Sequence, residues 1–455
     1  MTFADWPWRH WRHLRGGETA LRLADDNLDW HTLCQQVDRL AAGFAAQGVS
    51  EGQGVALRSK NSPQALLSWL ALLQCGARVL PLNPQLPDAL LSSLLADLSL
   101  HFGLALNASP LPDVAPLVYA PADAAVDAAV EWRAERLVSM TLTSGSTGLP
   151  KAAVHSAAAH LASAQGVLAM IPLAHHDSWL LSLPLFHVSG QGILWRWLLA
   201  GAQLVVRDMH PLDQALAGCT HASLVPTQLW RLLNGSAAHL ALKSVLLGGA
   251  AIPVALTQAA QARGIHCWCG YGLTELASTV CAKRADGLAD VGAPLPGREV
   301  RIVDGEIWIK SASLASGYWR QGVLTPLVNE QGWFATRDRG EMRDGRLTVL
   351  GRKDNLFFSG GEGIQPEEVE RVIAAHPEVR QAFVVPIADA EFGQRPVAIV
   401  ECADDALLAA LPGWLAGRVA RFQQPVRWYR LPDSLREGGI KISRRALSLW
   451  VAEQK

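Results

Sequence analysis

Residues 141–151 read TLTSGSTGLPK. Gly145 and Gly148 free the backbone to bring its N–H groups against an anion. Thr143 stands at the entry, Ser144, Ser146 and Thr147 add hydroxyl donors, and Lys151 brings a positive charge. Such a loop suits a polyphosphate, because all of these groups donate to phosphoryl oxygens. A P-loop ATPase or kinase is disfavoured. A Walker A loop puts four residues between its glycines and its lysine directly after the second. Here Ser146 and Thr147 separate the glycines, and Leu149 and Pro150 separate Gly148 from Lys151. A flexible linker is the competing reading; the apolar run LVSMTLT that feeds the loop and the lysine that leaves it argue against it.

A second singular residue is Arg196, the lone charge in GQGILWRWLLAGA. A buried arginine needs an anionic partner. That partner is a nearby acid, water reached by snorkelling, or the carboxylate of a bound ligand. No Gly-x-Ser-x-Gly elbow is present, so no serine nucleophile of that kind is expected.

The elements around these residues follow a βαβ rhythm. GVALRS and ARVLPLN read as buried strands with ALLSWLALLQ as the helix between them, and Leu33, Val37, Leu40 and Phe44 have helical spacing. LVSMTLT continues as a strand, followed by a helix from about residue 155, the strand SWLLSLPLF, a helix from about 190, and the strand AQLVVRD. SVLLGGA and HCWCGYG are short apolar strands that run into glycine turns. A parallel sheet with helices on its faces is expected, with the ligand cleft at the carboxyl ends of its strands. After residue 290, REVRIVDGEIWIK and GRLTVLG alternate between turns, as antiparallel strands do. PEEVERVIAAHPEV reads as a helix with Pro366 at its first position, and FVVPIAD and RPVAIVE as strands. The fold class is therefore α/β: a large N-terminal domain of layered sheets plus a β region, residues 1–352, and a small mobile α+β domain, residues 353–455.

The chain has 455 residues, half of them hydrophobic and 18% charged, with a formal net charge of −1. Such a chain folds around a large interior, and it lacks the basic excess that nucleic acid would demand. The odd, scattered set of seven cysteines predicts reduced, buried thiols and a cytoplasmic location. The uncharged runs near 61–77 and 155–174 carry polar residues and read as buried helices rather than membrane spans. Trp6, Trp8 and Trp11 are expected to pack against the first domain rather than to anchor in a membrane. A homo-oligomer is compatible with this composition.

Taken together, the motifs resemble the adenylate-forming acyl-CoA synthetase superfamily. TSGSTGLPK is similar to its phosphate loop, LPLFH (183–187) to its acyl-site segment, and YGLTE (271–275) to its adenylate and magnesium motif. ATRDRGE (335–341), GRKDN (351–355) and KISR (441–444) resemble its ribose, hinge and C-terminal lysine segments, in family order. The resemblance implies ATP, Mg²⁺ and CoA as the small-molecule partners, with no nucleic acid. It places Thr143 to Gly148 and Lys151 on the phosphates, Thr274 on the α-phosphate, and Glu275 on the metal. Gly248, Gly249, Ala250, Gly270, Tyr271 and Gly272 would line the adenine and acyl crevice, with Asp338 and Arg352 at the ribose. Lys441 would be the adenylation catalyst, Asp354 the hinge, and Gly360 and Gly361 part of the CoA tunnel.

Longer segments, among them SLPLFHVSGQGILWRWL and CGYGLTELASTVCAKRADGLADVG, resemble the bacterial branch that couples o-succinylbenzoate to CoA in menaquinone biosynthesis. That acid has two carboxylates, one activated and one left over, and Arg196 would pair with the second. His187, Ser189 and Ser223 are further substrate-site candidates; His187 and Ser223 are equally readable as satisfied core polar groups. An alternative substrate is another aryl or fatty acid, although a fatty-acid tunnel has no use for Arg196. The pattern departs from the superfamily at Arg337, Asn355 and Ile440, where Gly, Asp and Gly are usual.

Overall fold

The computed structural model describes residues 2–123, 129–143, 150–235, 240–435 and 442–454. It is a mixed α/β protein in which two large sheets position the site. In the eight-stranded sheet, Gly54–Arg58, Arg78–Leu82, Phe102–Ala105 and Leu137–Thr143 run parallel. In the nine-stranded sheet, Ser178–Leu180, Gln203–Val205, His221–Leu224, Ser244–Leu247 and His266–Leu273 do the same. Covered on both faces, these strands read as continuous apolar runs. Helices Trp30–Ala46 and Pro63–Gln74 start where Asp29 and Ser62 accept the Thr32 and Ala65 amides. The stripe of Leu33, Val37, Leu40 and Phe44 is buried as its spacing requires.

Three local expectations are corrected. Residues Lys151–Ser156 form a strand antiparallel to Leu137–Thr143, and the helix starts only at Ala157, capped by Ser156. The alanine-rich segment has no strong β signal of its own; sheet pairing overrides local propensity. SWLLSLPLF is a strand only over Ser178–Leu180. Beyond it the backbone is irregular, and Asn61 satisfies it by donating to the Leu181 and Leu183 carbonyls and accepting from the Leu185 amide. Finally, the glycines of HCWCGYG lie within the strand His266–Leu273 rather than in a turn. A Cβ at Gly272 would stand 1.9 Å from the Ser278 carbonyl oxygen, so the glycine serves the close approach of the antiparallel strand Ser278–Arg284.

The alternating segments after residue 290 pair as expected. Arg298–Val303, Glu306–Ser311, Phe334–Arg343 and Arg346–Arg352 make a four-stranded antiparallel sheet. Two of its hairpins turn at Asp304–Gly305 and Asp344–Gly345, all four residues at positive φ, the geometry that Asp-Gly favours. The C-terminal part has helix Pro366–Ala374, a three-stranded sheet of Gln381–Asp389, Gly393–Glu401 and Arg427–Arg430, and helix Arg444–Glu453. Its core contains Val369, Ile373, Val384, Ala398, Val400 and Leu411.

Trp6, Trp8 and Trp11 are buried, and their indole N–H groups donate to Val130 O, Gln74 Oε1 and Leu198 O. Among the described residues no helix is long and apolar enough to cross a membrane. All seven cysteines are free and buried.

Candidate active site

The acyl-site candidates lie on and before helix Val188–Ala200, which is apolar on nearly every face and buried. His187 precedes its first residue and Ser189 lies in its first turn; both are half-buried. Gln191 ties the helix to the neighbouring elements by donating to Thr141 Oγ1 and to the Leu185 carbonyl. Two turns in, Arg196 is 2% exposed. Its Nη2 donates to Ser223 Oγ at 3.2 Å, its guanidinium carbon lies 4.4 Å from the centre of the Trp179 ring, and its Nε has no hydrogen-bond partner. Among the described residues it makes no ion pair with a carboxylate. Burial pulls the Arg196 guanidinium down to about 9, and no acid offsets it.

The nucleotide-site candidates come from segments far apart in the sequence. Glu275 sits in the single turn Thr274–Leu276, and its Oε1 accepts from the Tyr318 hydroxyl at 2.7 Å. The Lys151 ammonium lies 5.0 Å from the centre of the Tyr318 ring. Tyr271 donates to Asp338 Oδ2 at 2.6 Å, and Arg352 Nη1 stands 3.4 Å from Asp338 Oδ1. Burial and the adjacent carboxylate push the Tyr271 phenol well up, so it stays a donor. Arg352 also pairs with Asp354, which Arg337 engages from the other side. The structure thus forms two contact groups, Lys151–Tyr318–Glu275 and Tyr271–Asp338–Arg352–Asp354, with Arg352 near enough to Glu275 to feel its charge. Gly248 and Gly249 (φ +82) follow the strand Ser244–Leu247, and Ala250 after them is exposed; Gly270 lies in the next strand. Thr143 Oγ1 reaches the Lys151 carbonyl at 3.5 Å.

The turn that carries Glu275 is strained and held. Ala277 and Ser278 both have positive φ, at 50° and 108°. Ser163 Oγ donates to the Ala277 carbonyl at 2.6 Å, and Arg298 Nε donates to the Thr279 carbonyl. Two of the sequence departures also find reasons here. Arg337 has φ +64, where glycine is at ease; its N–H donates to Glu306 Oε1 and its guanidinium reaches Asp354. Asn355 Nδ2 donates to Glu367 Oε1, a contact that an aspartate would turn into repulsion.

Gly360 and Gly361, at φ +59 and +87, form the two-residue turn of the hairpin Phe357–Ser359 and Glu362–Ile364. The Gly360 amide donates to the Phe392 carbonyl. Ser144, Gly145, Ser146, Thr147, Gly148 and Lys441 lie outside the described residues. Sequence reasoning missed Tyr318, Trp179, Asn61 and Ser163, whose roles come from contacts between distant segments.

A hard divalent cation fits the Glu275 carboxylate, whose second oxygen accepts from none of the described residues. Among the described residues no group of three or more metal-ligating side chains occurs, so phosphate and water would supply the remaining ligands. The AMP-binding enzyme family matches residues 8–319, and its C-terminal domain matches 368–437. A 2-succinylbenzoate–CoA ligase of Salmonella typhimurium is 66% identical over 454 residues, covering 100% of this chain and 99% of the relative. The structure is similar to an arginine-to-lysine variant of Escherichia coli MenE with bound OSB-AMS (63% identity, TM-score 0.95, all of both chains). It is also similar to the Bacillus subtilis o-succinylbenzoate CoA synthetase in complex with ATP and magnesium ion (25% identity, TM-score 0.83, 94% of this chain and 96% of that one). Full-length identity of this order and a shared two-part fold leave one conclusion: the chain belongs to the AMP-binding enzymes, among the 2-succinylbenzoate–CoA ligases.

Proposed function

We propose that this protein joins o-succinylbenzoate to CoA at the expense of ATP, as a step of menaquinone biosynthesis in the cytoplasm. In the first half-reaction, an oxygen of the succinyl carboxylate attacks the α-phosphorus of ATP and pyrophosphate leaves. In the second, the CoA thiol loses its proton and attacks the acyl carbonyl, and AMP leaves. Neither step needs a covalent enzyme nucleophile; both need charge held in place. Magnesium bound with the nucleotide would offset the negative charge of the phosphates.

The observation that carries this reading is Arg196. A buried guanidinium that among the described residues has one hydroxyl partner, a bare Nε and no carboxylate is costly unless an anion completes it. The aromatic carboxylate that the reaction leaves untouched is such an anion, and Ser223 beside it supplies a second polar contact. Asp338, with Arg352 and Tyr271 around it, is a carboxylate fixed to accept from ribose hydroxyls. We assign adenylation to Lys441 and phosphate binding to residues 144–148 on the family resemblance.

The test is AMP and pyrophosphate release with o-succinylbenzoate and CoA, against benzoate and octanoate. Arg196→Ala is expected to raise the KM for o-succinylbenzoate by about tenfold or more, the loss of one charge-assisted contact. Benzoate turnover should change little. Arg196→Lys should restore only part, since the ammonium lacks the planar fork. Unchanged kinetics in Arg196→Ala would sink the assignment.

A further inference from the structure

Tyr318 lies in the strand Gly317–Arg320, which pairs antiparallel with Lys151–Ser156 so that Tyr318 faces Ala153. Its hydroxyl donates to Glu275 Oε1 at 2.7 Å, while its ring face lies 5.0 Å from the Lys151 ammonium. The same segment holds Glu275 a second time, through the Ala315 amide, which donates to the Glu275 carbonyl at 2.7 Å. Backbone and carboxylate of Glu275 are therefore both held from one short segment, Ala315 to Tyr318.

We infer that Tyr318 is a positioning residue for the cation that accompanies ATP: its hydroxyl orients the Glu275 carboxylate, and its ring keeps the Lys151 ammonium apart from it. This rests on reading Glu275 as the metal contact. The physical need is plain. An ammonium and a carboxylate that contact the same side chain would form an ion pair if they met, which would take the carboxylate from the metal and the ammonium from the phosphates. A phenol separates them, because its face attracts a cation and its O–H binds an anion. With Oε1 engaged, the carboxylate presents its other oxygen in a fixed direction. The nucleotide then meets two opposite charges already sorted.

Three full-length variants test this. Tyr318→Phe keeps the ring and loses the hydroxyl. It is expected to raise the Mg²⁺ concentration for half-maximal pyrophosphate release by roughly tenfold, the scale of a hydrogen bond to a charged group. The KM for o-succinylbenzoate should stay within about twofold, and excess Mg²⁺ should restore kcat, which it cannot do for a damaged fold. Tyr318→Leu loses the ring as well and should also raise the KM for ATP. Tyr318→His, a ring with a donor, should recover part of the metal response. Binding is read independently of turnover by the electron paramagnetic resonance signal of free Mn²⁺ with α,β-methylene-ATP; Tyr318→Phe should weaken it similarly. Glu275→Gln is the control. If Glu275→Gln weakens Mn²⁺ binding and Tyr318→Phe does not, the inference is overturned. If neither variant weakens it, the metal reading of Glu275 fails first.

Discussion

At the scale of single residues, the molecule keeps several polar groups in places that disfavour their charge. His155 is fully buried beside His160, the two rings 5.0 Å apart, and His160 stacks on Trp195 at 5.2 Å. His160 Nε2 meets Ser139 Oγ at 2.7 Å, so its neutral form is served by a hydroxyl. Burial pulls His155 from 6.5 down to about 4 and moves His160 well below its ordinary value. The consequence for pH has a definite sign. Between about 4 and 6.5 the unfolded chain holds protons on these imidazoles and the folded chain does not, so stability falls as pH drops through that window. The slope should approach ~1.4 kcal/mol per pH unit for each group. His155→Phe keeps a ring in the stack and removes one titrating group. Denaturant unfolding across pH 4 to 7 should show a shallower loss of stability in the variant, and parallel curves would refute the account. Arg196 belongs to the same class of cost, but there the proposed ligand would supply the missing anion, so the site rather than the fold would gain from it.

At the scale of elements, the reading from sequence succeeds where one strand or helix decides the outcome. Apolar runs, the Pro366 helix start and the alternation after residue 290 each depend on neighbours in sequence, and each is found in the fold. It fails where pairing decides. Nothing within KAAVHS announces a strand until Leu137–Thr143 lies beside it, and nothing within SGYWR announces that Tyr318 will reach Glu275. The candidate site was legible as motifs; the contacts Lys151–Tyr318–Glu275 and Tyr271–Asp338–Arg352 were not, because they join segments far apart in the sequence. Gly272 shows the difference in miniature. Read in the chain it marks a turn or a ligand; in the fold it admits the Ser278 carbonyl. Gly272→Ala would place a methyl 1.9 Å from that backbone oxygen, which cannot rotate away. We expect a loss of roughly 1–3 kcal/mol, the usual scale of overpacking. Adenylation should fall further than stability alone explains, because the displaced strand carries the strained turn after Glu275. Gly17→Ala, with nothing within 4 Å of the added methyl, is the control. Equal stability of the two variants would count against the close-approach argument.

At the scale of the whole molecule, the proposed two-step reaction asks one small part to serve two half-reactions from two positions. Its C-terminal end is tied together as one body. Ser443 caps the helix Arg444–Glu453, and Arg444 forks onto Glu370 at 2.6 and 2.7 Å, fastening the residues just after Lys441 to helix Pro366–Ala374. The proposed hinge is held lightly by comparison. Asp354 is gripped by Arg337 and Arg352, both largely exposed, and pairs of that kind contribute about 0–1 kcal/mol each. Rotation about Asp354 would break these pairs and the hydrogen bonds of Gln365 to Arg339 and to the Arg352 carbonyl, and leave the core around Val369, Ile373 and Val400 intact. If Lys441 acts only when that body docks for adenylation, the half-reactions separate cleanly. Lys441→Ala should abolish pyrophosphate release from o-succinylbenzoate and ATP, yet form the thioester from supplied o-succinylbenzoyl-adenylate and CoA within a fewfold of the unaltered rate. Single-turnover assays of each half-reaction measure this. Equal loss in both would mean that the lysine serves one shared geometry, and that the small part need not turn between the steps.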